Sequence, residues 1–133
     1  MYGALDISTS GMIAQRTRMQ VIAANIANMN TLQNTKGEYD PYMRRAAMFE
    51  PAGDSNQPQG VRISEIEIQQ DALRREHRPG HQFADADGYV MVPDIDSTTE
   101  WVNGLQASRA YEANVAAAET MKNMVAQALR LLA

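Results

Sequence analysis

The sequence predicts a mainly α fold with a small β region. Long N- and C-terminal helices pair as an antiparallel coiled coil, joined by a middle segment of short strands and loops. Three observations carry this reading. All five prolines (Pro41, Pro51, Pro58, Pro79 and Pro93) lie between residues 41 and 93, and the flanks have none. Proline inside a helix costs about 3 kcal/mol, so long helices are permitted in the flanks and not in the middle. Both flanks repeat apolar residues at seven-residue spacing. The 133-residue chain also holds nine Met against eight aromatic residues in all, a stock that suits helix-on-helix packing better than a strand sandwich.

In the N-terminal flank Leu5, Met12, Met19 and Ile26 recur every seven residues, with Ile22 and Met29 three beyond the last two. This is a coiled-coil seam from Met19 onward, weaker earlier, where Ser8 and Gln15 occupy the second apolar position. Gly11 is a soft spot worth roughly 1 kcal/mol against Ala, and a break or change of direction is expected there. Asn28, Asn30, Thr31 and Asn34 close the segment with residues that favour caps and turns.

The C-terminal flank is the stronger helix. Tyr111, Ala118, Val125 and Leu132 form a second heptad series, flanked by Val115, Met121, Ala128 and Leu129, with neither Gly nor Pro beyond Gly104. Ser97, Thr98 or Thr99 is expected to cap its start ahead of Glu100. At 1.5 Å per residue the helix would be roughly 50 Å long. Neither flank can bury its stripe except against the other. The layout is therefore an N-terminal helix within residues 1–31, a β/loop middle over 32–96, and a C-terminal helix over 97–133 that completes the helical domain.

Asn25, Asn28 and Asn30 interrupt a seam of Ile and Met and are matched by Asn114 in the facing helix. Buried Asn is destabilising unless paired, and its best-attested use is to fix register and partner number. That role is expected for Asn25 and Asn28. For Asn30 a helix end dissolving into turn residues is an equal alternative.

In the middle, Tyr42–Phe49 reads as a strand. Val61, Ile63, Ile66 and Ile68 alternate with a one-residue slip at Ser64–Glu65, which predicts a bulge or bend. Tyr89–Val92 is a third strand, stopped by Pro93. Pro51–Gly60 reads as a mobile polar loop. Residues 32–96 hold seven basic and twelve acidic side chains, whereas the two flanks together carry a net charge of +1. The middle is the solvated part, and the flanks suit burial among other helices.

Little here supports chemistry. The absence of cysteine excludes thiol catalysis, Cys-ligated zinc, Fe–S clusters and disulfides. A net charge of −4 argues against a nucleic-acid binder. No apolar run approaches the roughly 18 residues of a membrane span. The first basic residue is Arg16, so no charged region precedes an apolar one as in a secretory leader. His77 and His81 stand four apart, but Pro79 and Gly80 between them remove the helical face that would make a metal pair. Asp85-Ala86-Asp87-Gly88 opens like a calcium loop, yet the twelfth position is Asp96 rather than Glu; an Asx-turn leading into the Tyr89 strand is expected. Glu65 and Glu67 share a solvated strand face, and Arg44–Arg45 and Arg74–Arg75 are doublets offset by nearby acids. No GxSxG, P-loop or GxGxxG occurs. No enzyme, small-molecule substrate, metal or cofactor is expected.

Ala23–Thr31, read as Ala-Ala-Asn-Ile-Ala-Asn-Met-Asn-Thr, resembles the N-terminal signature of the bacterial flagellar rod and hook proteins. Ala4–Ser8, Ser10–Met12 and Ala14–Arg16 resemble its helical opening. Pro79-Gly80-His81, Ala84–Val90, Pro93 and the block Ala107–Val115 place the likeness with the proximal rod proteins of the flagellar basal-body rod family. Gln82 and Phe83 stand where the family commonly has Pro and Asp, and Met29 where Ala is common.

The resemblance implies a structural subunit, exported by the flagellar type III apparatus without a cleaved signal. Such subunits polymerise into a periplasmic helical tube that serves as drive shaft and export conduit. Implied partners are further copies, the other rod proteins and the basal-body base ring. The assembly residues expected on this reading are Leu5, Met12, Met19, Ile22, Asn25, Ile26, Asn28 and Met29, with Tyr111, Asn114, Val115, Ala118, Met121, Val125, Leu129 and Leu132. A needle or filament subunit of another type III system, or a small calcium-binding module, are the alternatives.

Overall fold

A computed structural model describes residues 2–54 and 57–132. Helix α1 spans Tyr2–Ala27, followed by strands β1 (Arg45–Asp54), β2 (Gln57–Ile68), β3 (Leu73–His77) and β4 (Tyr89–Pro93), and by helix α2 (Ser97–Leu132). The strands form two separate two-stranded antiparallel sheets, β1–β2 and β3–β4. Among the described residues no helix is long and apolar enough to cross a membrane.

Helix α1 runs 26 residues without interruption, so the break expected at Gly11 is absent. The glycine serves a close approach instead: a Cβ there would lie 2.8 Å from the side-chain amide of Asn114. Helix α1 ends at Ala27, where Asn28 donates from Nδ2 to the Ala24 carbonyl (2.9 Å) and accepts from Thr31 Oγ1 (3.2 Å). Asn28 therefore closes the helix end, and its bonds are local. Helix α2 is 36 residues long, about 54 Å at 1.5 Å per residue. Its cap is Asp96, not Ser97, Thr98 or Thr99: the Asp96 carboxylate accepts from the backbone N–H (3.0 Å) and hydroxyl (2.6 Å) of Thr99.

The two helices pack together, with Asn25 against Glu100, Ile22 beside Gly104 and Gly11 beside Asn114. The residues buried between and beneath them are mostly small: Ser8, Gly11, Ala14, Ala107 and Ala118, joined by Val21 and Ile22. Small side chains let helix axes approach closely. That approach leaves Leu5, Met12, Met19 and Ile26, one position along from Gly11 and Asn25, half-buried at the margin of the contact.

The β1–β2 hairpin corrects the strand limits. β1 starts at Arg45 rather than Tyr42 and continues past Phe49, so the segment expected to be a loop is strand at both ends, pairing Pro51 with Val61 and Asp54 with Gln57. Ser55 and Asn56 of that loop lie outside the described residues. Low hydropathy was a poor guide there, because hairpin backbone bonding does not require apolar side chains. The bulge lies where the alternation slips. Glu65 pairs with Met48 and Ile63 with Phe49, leaving Ser64 as the extra residue. This one insertion returns Val61, Ile63, Ile66 and Ile68 to one face, each opposite an odd-numbered residue of β1.

The hairpin docks on α1 at Gly60. Ser10 Oγ accepts the Val61 N–H (3.1 Å), and Gly60 has φ +108° with space for no Cβ, which would collide with Ser10 Oγ.

β3 has no counterpart in the sequence reading, since Leu-Arg-Arg-Glu-His carries one apolar residue and pairs at an edge. Pro93 does not stop β4 but ends it as its last paired residue, opposite Leu73. A terminal position needs no ladder N–H. Val90, Val92, Pro93 and Ile95 are buried and form the core of this second unit.

Candidate assembly surface

At the junction of the helical pair and the hairpin, Asn25 is 0% exposed and bonded on every side. Its Nδ2 donates to the Arg45 carbonyl (2.8 Å) and to Glu100 Oε2 (3.2 Å). Its Oδ1 accepts from the Arg45 N–H (3.0 Å) and the Tyr42 hydroxyl (3.2 Å). Glu100 in turn accepts from Arg44 Nε (2.7 Å), and Arg44 Nη1 donates to Gln69 Oε1 (3.0 Å). Burial raises the Tyr42 phenol above its usual pKa; the Arg45 charge works against this and Glu100 adds to it. Asn25 thus ties α1 to β1 and to α2. Asn114, its expected match, instead donates to the Ala110 carbonyl (2.9 Å) and lies over Gly11.

The helices leave many of their large apolar side chains outside the contact, although Val21 and Ile22 are buried in it. Met19, Ile22, Ile26, Trp101 and Leu105 line an apolar groove of about 510 Å³ between α1 and α2. Trp101 is 68% exposed. Ile7, Ile13, Val102 and Met124 are also exposed. At the far end of α2, Leu129, Leu131 and Leu132 stand in solvent, Leu132 at 85%. Extending the facing pairs, the start of α1 lies level with about residue 123, so roughly two turns of α2 project beyond it.

Of the residues expected on the assembly surface, Ile22, Asn25 and Ala118 are buried within the chain. Leu5, Met12, Met19, Ile26, Asn28, Met29, Tyr111, Asn114, Val115, Met121 and Val125 are half-buried, and Leu129 and Leu132 are exposed. Trp101 and Leu105 escaped the sequence reading. Their four-residue spacing on a helix was the available signal.

The acidic turn before β4 is engaged locally. Asp85 Oδ1 accepts the backbone N–H groups of Tyr89 (2.8 Å) and Asp87 (3.0 Å), and its other oxygen faces Arg75 (3.4 Å). These bonds, that of Tyr89 foremost, hold the Asp85 carboxyl below its usual pKa. Among the described residues no group of three or more His, Asp or Glu side chains is placed to hold a metal. Phe83, one of the two departures in this loop, stacks on Tyr39 with ring centroids 4.9 Å apart.

Residues 5–32 match the family model described as "Flagella basal body rod protein", and residues 86–131 match that described as "Flagellar basal body rod FlgEFG protein C-terminal". The two matches fall on α1 and on β4–α2, and so take in both helices of the apolar surface. The chain is 32% identical over 145 residues to the flagellar basal-body rod protein FlgC of Bacillus subtilis strain 168, covering 98% of this chain and 97% of that one. The chain belongs to the flagellar basal-body rod protein family. The FlgC proteins of Yersinia enterocolitica and Salmonella typhimurium strain LT2 are 37% and 34% identical to it over 127 residues, 95% of this chain and 93% of each of theirs. As a rod protein it is a structural subunit of the flagellar basal body. The residues lining the apolar groove, and α2 as far as Leu131, lie within the two matched segments.

Proposed function

We propose that this rod protein polymerises through its terminal helices, α1 and α2 completing an antiparallel coiled coil in the assembled state. On this reading residues 1–31 and 97–133 act as one discontinuous helical unit, and residues 32–96 form an outward-facing middle. The tube is the periplasmic drive shaft and the conduit through which later subunits pass. The chain itself leaves the cytoplasm by the flagellar type III apparatus without a cleaved signal. Its neighbours are further copies, the other rod proteins and the base ring. It turns over no substrate, and its work is the transmission of torque through interfaces.

The observation that carries this reading is the inversion of side-chain size on the helices. Small residues fill the contact within the chain, while Trp101, Leu105, Leu129 and Leu132 remain in solvent. Burying apolar area is worth about 25 cal/mol per Å², and an isolated chain leaves that stabilisation unused. Contiguous exposed apolar surface marks an interaction site. A tagged copy replacing the native gene should restore swimming and co-purify with detergent-extracted basal bodies. Restored motility with the tag absent from those particles would sink the proposal.

A further inference from the structure

A second groove lies between α1, α2 and β1, sharing Ile22 with the apolar one, and it is cationic. Its volume is about 350 Å³; Arg18, Arg44 and Arg45 line it together with Val21 and Phe49, and no carboxylate is among its lining residues. Arg44 is neutralised by Glu100. Arg18 and Arg45 have no ion pair among the described residues, Arg45 only leaning over the Tyr42 ring at 5.4 Å.

In a chain of net charge −4 this concentration of unneutralised guanidinium stands out. The same chain carries its complement. Around the turn from β2 to β3 and just past β4, Glu67, Asp71 and Asp94 line one exposed concavity that no cation lines. None of the three has an ion pair among the described residues.

We propose that the Arg18–Arg45 groove receives the Glu67–Asp71–Asp94 turn of a second copy of this chain. The contact joins two patches that adjoin across the β1–β2 hairpin, Arg45 pairing with Ile68 and Ala46 with Glu67, so each copy offers both halves to its neighbours. Arg presents a planar fork that matches carboxylates in a bidentate manner. Like-charge juxtaposition at either surface excludes copies docked in the wrong order. The inference rests on the rod-subunit reading and adds to it a polar contact, separate from the apolar faces of the helices, that sets which side of a neighbour is met.

A charge-swap experiment tests it. The purified chain, Arg18→Glu/Arg45→Glu, Asp71→Lys/Asp94→Lys and an equimolar mixture of the two variants are compared by sedimentation velocity across NaCl concentrations. Circular dichroism melting verifies that each is folded, and Arg18→Gln/Arg45→Gln serves as the milder pair. The parent should self-associate, and weaken as salt shortens the screening length from about 10 Å at 0.1 M toward 3 Å at 1 M. Each reversed variant should lose at least tenfold in association, and the mixture should recover it, because acidic grooves then meet basic turns and the reverse.

A parent that stays monomeric, variants that associate like it, or a mixture that stays apart would each overturn the proposal. So would Arg45-dependent stabilisation by inorganic phosphate with charge-insensitive association, which assigns the groove to a small anion. The same variants expressed in cells separate this inference from the reading beneath it. Normal incorporation of both into basal bodies defeats the groove contact alone, whereas absence of the parent from basal bodies defeats the rod reading.

Discussion

Arg44 Nε lies 2.7 Å from Glu100 Oε1, and the Glu100 side chain is 1% exposed. The pair joins the segment entering β1 to the first turn of α2, across 56 residues of sequence. A buried pair of this kind adds little net stability but is costly to break, since one charge is then left without a partner. Arg44→Met should therefore destabilise the fold by about 3–5 kcal/mol, read as a lowered denaturant midpoint. Adding Glu100→Met should return only part of that loss, because the Asn25 amide then loses its bond to Glu100 Oε2. A double variant as unstable as the single one would show that the charge is not what the pair protects.

The contact of Gly11 with Asn114 makes an opposite prediction from helix propensity. Ala in place of Gly would gain about 1 kcal/mol in an exposed helix. Here the new Cβ meets all three atoms of the Asn114 amide group at 2.8–2.9 Å, and moving the amide aside strains its bond to the Ala110 carbonyl. Gly11→Ala should destabilise by roughly 1–2 kcal/mol. In an Asn114→Ala background the same change should be neutral or stabilising, a sign reversal that a double-mutant cycle of chemical denaturation would register.

Acid should loosen the turn before β4 through Asp85. Its folded-state pKa is depressed, chiefly by the Tyr89 N–H. The contribution is thus complete above the ordinary carboxylate value near 4 and is lost as pH falls through the lower folded value. The amide signals of Asp87 and Tyr89 should report that step by NMR, and Asp85→Asn should abolish it. Calcium should leave the melting temperature unchanged. A calcium-dependent rise that vanishes in Asp85→Asn would reassign the turn as a cation site.

Val125 stands half-buried on the heptad line between Ala118 and Leu132, near the level at which α2 outruns α1. Val125→Asp should cost several kcal/mol in the assembled state, where the carboxylate is buried without a partner, and much less in the monomer. Cells should make and export the variant yet lack filaments and fail to swim. Swimming cells would mean that this line does not pack in the rod.

The projecting end of α2 should be frayed in the dilute monomer. Amides from about residue 124 to 132 should exchange within the dead time of a hydrogen-exchange experiment, because no second helix covers that end, and should be protected in intact basal bodies. Equal protection in both states would remove the argument that assembly orders it.

Much of this protein was legible in its residues. Proline placement confined the helices to the flanks, because a ring that blocks helical bonding acts locally; Pro93 stands just ahead of α2, whereas the end of α1 was marked by Asn28 and Thr31. The slip between Ile63 and Ile66 located the bulge at Ser64, because strand alternation leaves an inserted residue nowhere else to go. Asp85 was readable as an Asx-turn for the same reason of short range. The Asn-rich end of α1 and the Ala107–Val115 block carried the family.

What only the tertiary structure decided is which faces meet. A heptad specifies a period, not a rotational phase, and on helices rich in Ala, Gly and Met several faces satisfy it. The phase was chosen by how near the axes come, which brought Gly11, Ala14, Ala107 and Ala118 inward and left the larger side chains at the margin or outside. β3 exists because β4 offers it an edge, and its own residues hardly ask for it. Asn25 owes its partners to chain segments 20 and 75 residues away. Such bonds depend on where distant segments are carried by the packing, and no local spacing encodes them.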